Sequence, residues 1–262
     1  MEDYLKANKD WWDKATLIHA NSKDYDLAGF KKGKSSLHTM ELEELGDVSG
    51  KTLLHLQCHF GMGTLSWVRE GAIATGVDLS DESIKLARSL SEEIEVPATF
   101  VKSDVYDLPN VLAGEFDIVF TSYGVIGWLP DLKKWAKVIN HFLKKGGTFY
   151  IAEIHPLTSI FNKELAIMDT YFREEPYINE SAADYADDQV SIDGKSYNWN
   201  HPLSEVCNVL IEEGLTIEYL HEFSFTVYNR FPGLLEEDKQ GYWRFKDPHI
   251  QLPLLFSLKA TK

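Results

Sequence analysis

His55, Cys58 and His59 fall within the stretch LLHLQCHFGMG, Leu53 to Gly63. Imidazole and thiolate this close together suit zinc, but a structural zinc site needs a closed ligand set at recognisable spacing, and neither CxxC nor HExxH accompanies them. Haem attachment needs paired cysteines before the histidine. The other reading is a strand that runs into a glycine turn at Gly61, the usual opening of a nucleotide site. In a strand His55 and Gln57 share one side while Leu54 and Leu56 share the other. A polar-edged strand feeding a turn, with no metal, is the expectation.

Two carboxylates extend that reading. Asp78 closes the strand of GVDLS, where it is able to accept both hydroxyls of a ribose. Asp104 in KSDVYDLP ends the next strand, placed to accept a hydrogen bond from an adenine amino group, and TSYGVIGW brings Ser122 and Tyr123 after a fourth. A nicotinamide fingerprint built from Gly61, Gly63 and Ser66 lacks its third glycine, and Asp78 follows too soon for a full first helix. AGFKKGKS, Ala28 to Ser35, fits a relaxed phosphate-loop pattern, yet the polar HANSKDYDL precedes it where a core strand is required.

The elements that position these residues alternate. KTLLHLQ, AIATGVDLS, ATFVKSDV, FDIVFTSYG and TFYIAEI read as strands, with helices in GMGTLSWVREGA, DESIKLARSLSEEI and DLKKWAKVINHFLKKGG between them. Asp81 stands at or near the cap of the second helix, and the third carries lysines in its last turn. Alternation of this kind means a parallel sheet with helices on both faces, whose ligands bind at the carboxyl ends of the strands. The loops 57–63, 78–81, 103–106 and 121–128 all lie at that edge.

Residues 1–48 read as a helical N-terminal cap, with a helix in SSLHTMELEELG capped by Ser35 or Ser36 and ended by Gly46. Residues 51–156 form the core. NHPLSEVCNVLIEEG is a helix, and LTIEYLHEFSF and IQLPLLFSLKA are strands pairing antiparallel at the end of the sheet, so 203–225 and 249–262 complete the core. The intervening 157–202, with a hairpin signal at Asp193-Gly194, and 226–248 are expected to form a lid rich in aromatic residues. The acidic run ADYADDQ within the lid reads as a solvated loop.

The 262 residues suffice for one sizeable α/β domain, and 44% hydrophobic with 26% charged residues is ordinary for a globular chain. The net charge of −15 disfavours nucleic acid and anionic membranes as partners. No apolar run approaches the roughly 20 residues that span a bilayer. Two cysteines and a start without secretory features lead to an expected cytoplasmic location.

In this order the motifs resemble the class I S-adenosylmethionine-dependent methyltransferases, over residues 51–156: HLQCHFG for the first turn, GVDLS for ribose, SDVYDLP for adenine, and FDIVFTSYGVIGWLPDL with LKKGGTFYIAE for the fourth and fifth strands. More narrowly, LLHLQCHFG with SSLHTMELEELGDVSGK resembles a bacterial methyltransferase-like group of unassigned substrate. The resemblance implies a Rossmann-like, doubly wound α/β fold with a mostly parallel seven-stranded sheet and an antiparallel last strand. It implies S-adenosyl-L-methionine as cofactor, S-adenosyl-L-homocysteine as product, and a small-molecule acceptor methylated on O or N. The cofactor residues it implies are Gln57, Cys58, His59, Gly61, Asp78, Leu79, Asp104, Val105 and Ser122, with Tyr25 and Ser36 of the cap near the methionine end. His55 stands where the family has a carboxylate, and Gln57 and His59 where it has glycines; His59 in a glycine turn is expected to alter the backbone path. Tyr123, His155 and His201 are the candidates for a general base. A cofactor-binding protein without turnover and a nicotinamide-dependent oxidoreductase are the alternatives.

Overall fold

A computed structural model describes residues 2–184, 186 and 190–262. Most of the acidic run ADYADDQ lies outside the described residues. The N-terminal segment carries α1 (Glu2–His19), α2 (Leu27–Lys31) and α3 (Thr39–Leu45). Beyond it come β1 (Thr52–Leu56), α4 (Met62–Arg69), β2 (Ile73–Asp78), α5 (Asp81–Glu93), β3 (Thr99–Lys102), α6 (Leu108–Val111), β4 (Phe116–Ser122), α7 (Leu132–Phe142) and β5 (Leu143–Ile154). The remainder holds β6 (Tyr177–Ala183), β7 (Ser191–Asn198), α8 (Leu203–Glu212), β8 (Thr216–Phe223), β9 (Phe225–Thr226), β10 (Leu235–Glu237), β11 (Trp243–Phe245) and β12 (Leu255–Thr261).

The main sheet has the order β3-β2-β1-β4-β5-β12-β8. Its first five strands are parallel, and β12 runs antiparallel to both β5 and β8. β1 is flanked by β2 and β4, with His55 opposite Gly76 on one side and Phe120 on the other. Strand order reverses at this point, which is where such sheets open a crevice. Because helices cover both faces, β1 buries both of its side-chain rows, and even His55 is buried. One face packs Trp135, Phe142, Phe149 and Leu258; the other packs Leu53, Trp67, Phe120 and Tyr150.

Ser80 caps α5, its side chain accepting from Ser83 N, with Asp81 beside it as the first helical residue, as expected. Three local expectations change. His38, not Ser35 or Ser36, precedes α3, and the backbone N–H of His38 donates to Glu41 at 2.7 Å, one half of a capping box. α7 ends at Phe142, so Lys144 and Lys145 open β5 instead of closing a helix. Asp193-Gly194 is not a hairpin turn: it lies inside β7, where the pairing with β6 slips by one residue between Asn179 and Ser181. Gly194, at φ 131°, absorbs the extra residue as a bulge, the other use of a strand glycine.

α1 lies against α5 and β7. Asn8 exchanges both side-chain hydrogen bonds with the backbone of Tyr197, at 2.9 and 2.8 Å. Asp13 accepts from Ser80 Oγ at 2.6 Å and from Glu82 N at 3.2 Å, tying α1 to the start of α5. The hairpin β6–β7 therefore packs over α1, while the small sheet β10-β11-β9 sets Tyr242 against Met40 of α3.

Candidate active site at the strand tips

The first turn passes through left-handed conformations of the kind glycine favours. Gln57 and His59 have φ of 55° and 51°, left-handed values that cost a side-chain-bearing residue roughly 1–2 kcal/mol each. Hydrogen bonds hold both there. Gln57 Nε2 donates to Val125 O at 2.9 Å, and His59 N donates to Asp78 Oδ2 at 2.8 Å. The His59 ring meets Ser83 Oγ at 3.0 Å and His19 Nδ1 at 2.8 Å, and His19 Nε2 meets Asp184 at 2.9 Å. Histidine thus takes a left-handed conformation of the kind glycine favours. Gly61, at φ 82°, is a true glycine position, because a Cβ there would stand 2.6 Å from the Phe100 ring. Cys58 turns its sulfur into the sheet, 2.8 Å from where a Cβ on Gly76 would sit, and burial pushes its thiol pKa up. It faces the crevice only through its backbone.

Asp78 is locked at the tip of β2. Oδ1 accepts from Ser80 N at 2.9 Å while Oδ2 accepts from His59 N. Burial raises its pKa to about 6 against the pull of those N–H groups. Leu79 follows it. Ser103 N donates to Asp78 O at 3.0 Å, joining the tips of β2 and β3, and Asp104 Oδ1 accepts from Tyr106 N at 3.3 Å. Val105 beside it is buried. Ser122 ends β4 next to the first turn, and the preceding Thr121 Oγ1 donates to Leu56 O at 3.1 Å.

Three residues that the motifs did not point to complete the edge. The Glu153 carboxylate, buried at the end of β5, accepts from the backbone N–H groups of Gly124, Val125 and Ile126, which fixes the loop after β4. Its only sequence signal is one charge in the otherwise apolar TFYIAEI. Trp12 of α1 bridges the two loops, with ring centroids 5.1 Å from His59 and 5.0 Å from Trp128. His19 joins through the relay above, and nothing in the local pattern of α1 marks it.

Buried polar atoms collect at the tips of β1 and β4. His55 Nε2, Gln57 Oε1 and the Tyr123 hydroxyl have no hydrogen-bond partner among the described residues. His55 Nδ1 lies 2.9 Å from Thr64 Oγ1, and burial lowers the ring's pKa to about 3, so the imidazole is neutral. Gly63 makes room for it, since a Cβ there would stand 3.1 Å from His55 Cε1. An amino-acid moiety, with its ammonium donors and carboxylate acceptors, fits such a set.

The other expected residues lie elsewhere. His155 Nε2 pairs with Glu222 at 2.8 Å and its Nδ1 accepts from Leu157 N at 3.1 Å, capping a short 3₁₀ turn. His201 Nε2 meets Leu129 O at 2.7 Å and Nδ1 meets Glu205 at 3.1 Å, so it anchors the start of α8. Ser36 bonds Ser66 of α4 through N and Oγ, at 3.1 and 3.0 Å. Tyr25 does reach the first turn, stacked on His19 with its ring centroid 5.6 Å from His59. Of the three base candidates, Tyr123 directly follows the last residue of β4, with its hydroxyl buried. Among the described residues no cluster suits a metal ion, and no helix is long and apolar enough to cross a membrane.

Comparison with known proteins bears on the fold. Residues 54–151 match the family model described as a methyltransferase domain. The solved structure of an S-adenosylmethionine-dependent methyltransferase from Methanosarcina mazei superposes with a TM-score of 0.59 at 17% identity, covering 86% of this chain and 98% of that one. One from Mesorhizobium loti gives 0.56 at 16%, covering 88% and 100%. At such identity the likeness is one of fold. The ubiquinone biosynthesis O-methyltransferase of Escherichia coli is 26% identical over 159 residues, 59% of this chain and 66% of that protein. The chain thus spans a little under two thirds of that relative's length. The sheet order is that of these solved methyltransferases, and the matched methyltransferase domain, residues 54–151, holds the first five strands and the loops at their tips.

Proposed function

We propose that the chain transfers the methyl group of S-adenosylmethionine to a small-molecule acceptor at O or N. The observation that carries the reading is Asp78. It is fixed by two backbone donors at the tip of the second strand, and a carboxylate with about four acceptor sites keeps two for ribose hydroxyls. Asp104 and Val105 take the adenine side. Gly61 lets the backbone approach, and Gln57 and His55 offer polar atoms to the methionine end. The bound cofactor would supply an electrophilic methyl on a sulfonium. The protein's part is to set the acceptor in line and keep water out. β6, β7 and the segment 226–248, with α1, form the cover, and Trp12 moves aside for the adenosine.

A net charge of −15 favours a small molecule over a nucleic acid as acceptor. Cys58 and Cys207, both free, suit a reducing cytoplasm. Calorimetry with S-adenosylhomocysteine tests the reading. Binding at one site per chain that Asp78→Ala weakens supports it, and equal affinity in the two proteins removes the ribose assignment.

A further inference from the structure

Glu41 stands out among the buried charges. It lies on α3, only 1% exposed, in a helix whose neighbouring Glu43 and Glu44 are solvated or paired. One of its oxygens accepts the His38 N–H that begins the helix. A capping box explains that bond and does not require the burial of the whole carboxyl. The Tyr123 phenol lies beside the carboxyl, yet its hydroxyl completes no hydrogen bond to any described residue. Tyr123 directly follows Ser122 at the tip of β4, next to the loop that Glu153 fixes. The pair therefore stands beside the loop that follows the fourth strand.

Around the pair is a wall of rings. His38 is 5.8 Å from Tyr123 and 5.4 Å from Tyr242, and Phe225 lies 4.3 Å from Tyr242, all between ring centroids. A flat, uncharged ring packs well against such a wall. Other titratable groups nearby are already committed. Glu44 bonds Tyr150 Oη and His221 Nδ1, each at 2.7 Å, and Tyr242 Oη accepts from Met40 N at 3.0 Å.

We propose that Glu41, with Tyr123 beside it, removes the proton from the acceptor, and that this acceptor carries a phenol-type hydroxyl. The inference rests on the methyltransferase reading above and deepens it. The step balances simply. A lone pair on the acceptor oxygen forms the O–CH₃ bond, the C–S bond breaks with its electrons returning to sulfur, and the hydroxyl proton passes to Glu41 directly or through Tyr123 Oη. Burial, opposed by the His38 N–H and the nearby Tyr123 hydroxyl and reinforced by Glu44, lifts the carboxyl to about 8. A base of that strength lies close to the operating pH and within reach of a phenol of pKa about 10. A cationic amine would instead bring a charge into a site that holds a neutral acid at pH 7.

Glu41→Gln is the informative variant, because glutamine also serves a capping box and leaves α3 intact. Methyl transfer from S-adenosylmethionine to catechol and to 4-nitrocatechol would be followed from pH 6 to 9.5, with binding of S-adenosylhomocysteine measured alongside. The expected result is turnover that rises through a midpoint near pH 8 to a plateau above pH 9 in the wild type. In Glu41→Gln the rate falls about 10²-fold or more and that limb is lost. Tyr123→Phe gives a smaller loss and a displaced limb, and Glu41→Gln binds S-adenosylhomocysteine as the wild type does. A Glu41→Gln protein that keeps the rate and the limb overturns the proposal. So does a protein that binds S-adenosylhomocysteine yet methylates neither phenol, or methylates only benzylamine. No binding of S-adenosylhomocysteine at all overturns the reading beneath it as well.

Discussion

At the tips of β2 and β3 the polar side chains are engaged: Asp78 holds His59 N and Ser80 N, Asp104 holds Tyr106 N, and Ser103 closes onto Asp78. At the tips of β1 and β4, His55, Gln57 and Tyr123 each bury an atom with no described partner. An unpaired buried polar atom costs about 1–3 kcal/mol, so the second region carries a standing destabilisation that the first does not. That contrast separates two tasks. A preformed carboxylate cradle suits a ligand part that is always the same, here the adenosine. Unpaired atoms suit groups that arrive with their own donors and acceptors, here the methionine end and the acceptor.

The largest way to break the contrast is Asp78→Ala. Losing two charge-assisted hydrogen bonds should weaken S-adenosylhomocysteine binding by roughly 2–3 kcal/mol, read by calorimetry. If the loss is no larger than for an Ala change at exposed Asp81, the cradle is not the ribose site. A pH series comes next. With Asp78 at about 6 in the empty protein, affinity should fall about tenfold per unit below pH 6, as the carboxylate takes up the proton that a ribose hydroxyl needs to replace. The stability effect has the opposite sign. The folded protein binds this proton more tightly than the unfolded chain does, so Asp78 favours folding at pH 4 and that contribution is lost as pH rises through 6. Denaturant melts of wild type and Asp78→Asn across this window would show it as a difference that shrinks when the residue is replaced.

Two smaller effects sharpen the comparison. Trp12→Ala opens the bridge between His59 and Trp128, and stopped-flow mixing should show severalfold faster association of S-adenosylhomocysteine. An unchanged rate would mean that α1 does not gate the adenosine side. Gln57→Gly trades one hydrogen bond to Val125 O for relief of a left-handed backbone, so stability should change by no more than about 1 kcal/mol. Cofactor affinity should nevertheless drop several-fold with the lost Oε1 acceptor, and an unaltered affinity would take Gln57 out of the methionine end.

The engaged region was the legible one. A carboxylate at the end of an apolar strand declares itself within six residues, as GVDLS and KSDVYDLP do, and alternating strands and helices dictate a parallel sheet whatever the side chains beyond. The open region depends on contacts made across the chain. Glu41 reads as an ordinary helix-start acid until Tyr123 and Tyr242 are brought to it from distant segments. Glu153 reads as a strand residue until the loop after β4 folds onto it. His155 and His201 share the composition of a base without its placement, since their ring nitrogens serve a short turn and a helix start. Asp193-Gly194 failed for a similar reason: the pair names a conformation, and whether that becomes a turn or a bulge is decided by the partner strand.

Titration calorimetry of the wild-type chain with S-adenosylhomocysteine and, separately, with NADH tests the central claim most directly. One mole of S-adenosylhomocysteine bound per chain, with no heat from NADH and no displacement by it, is the predicted result. Binding of NADH in place of S-adenosylhomocysteine, or no binding of S-adenosylhomocysteine by folded protein, would contradict the account.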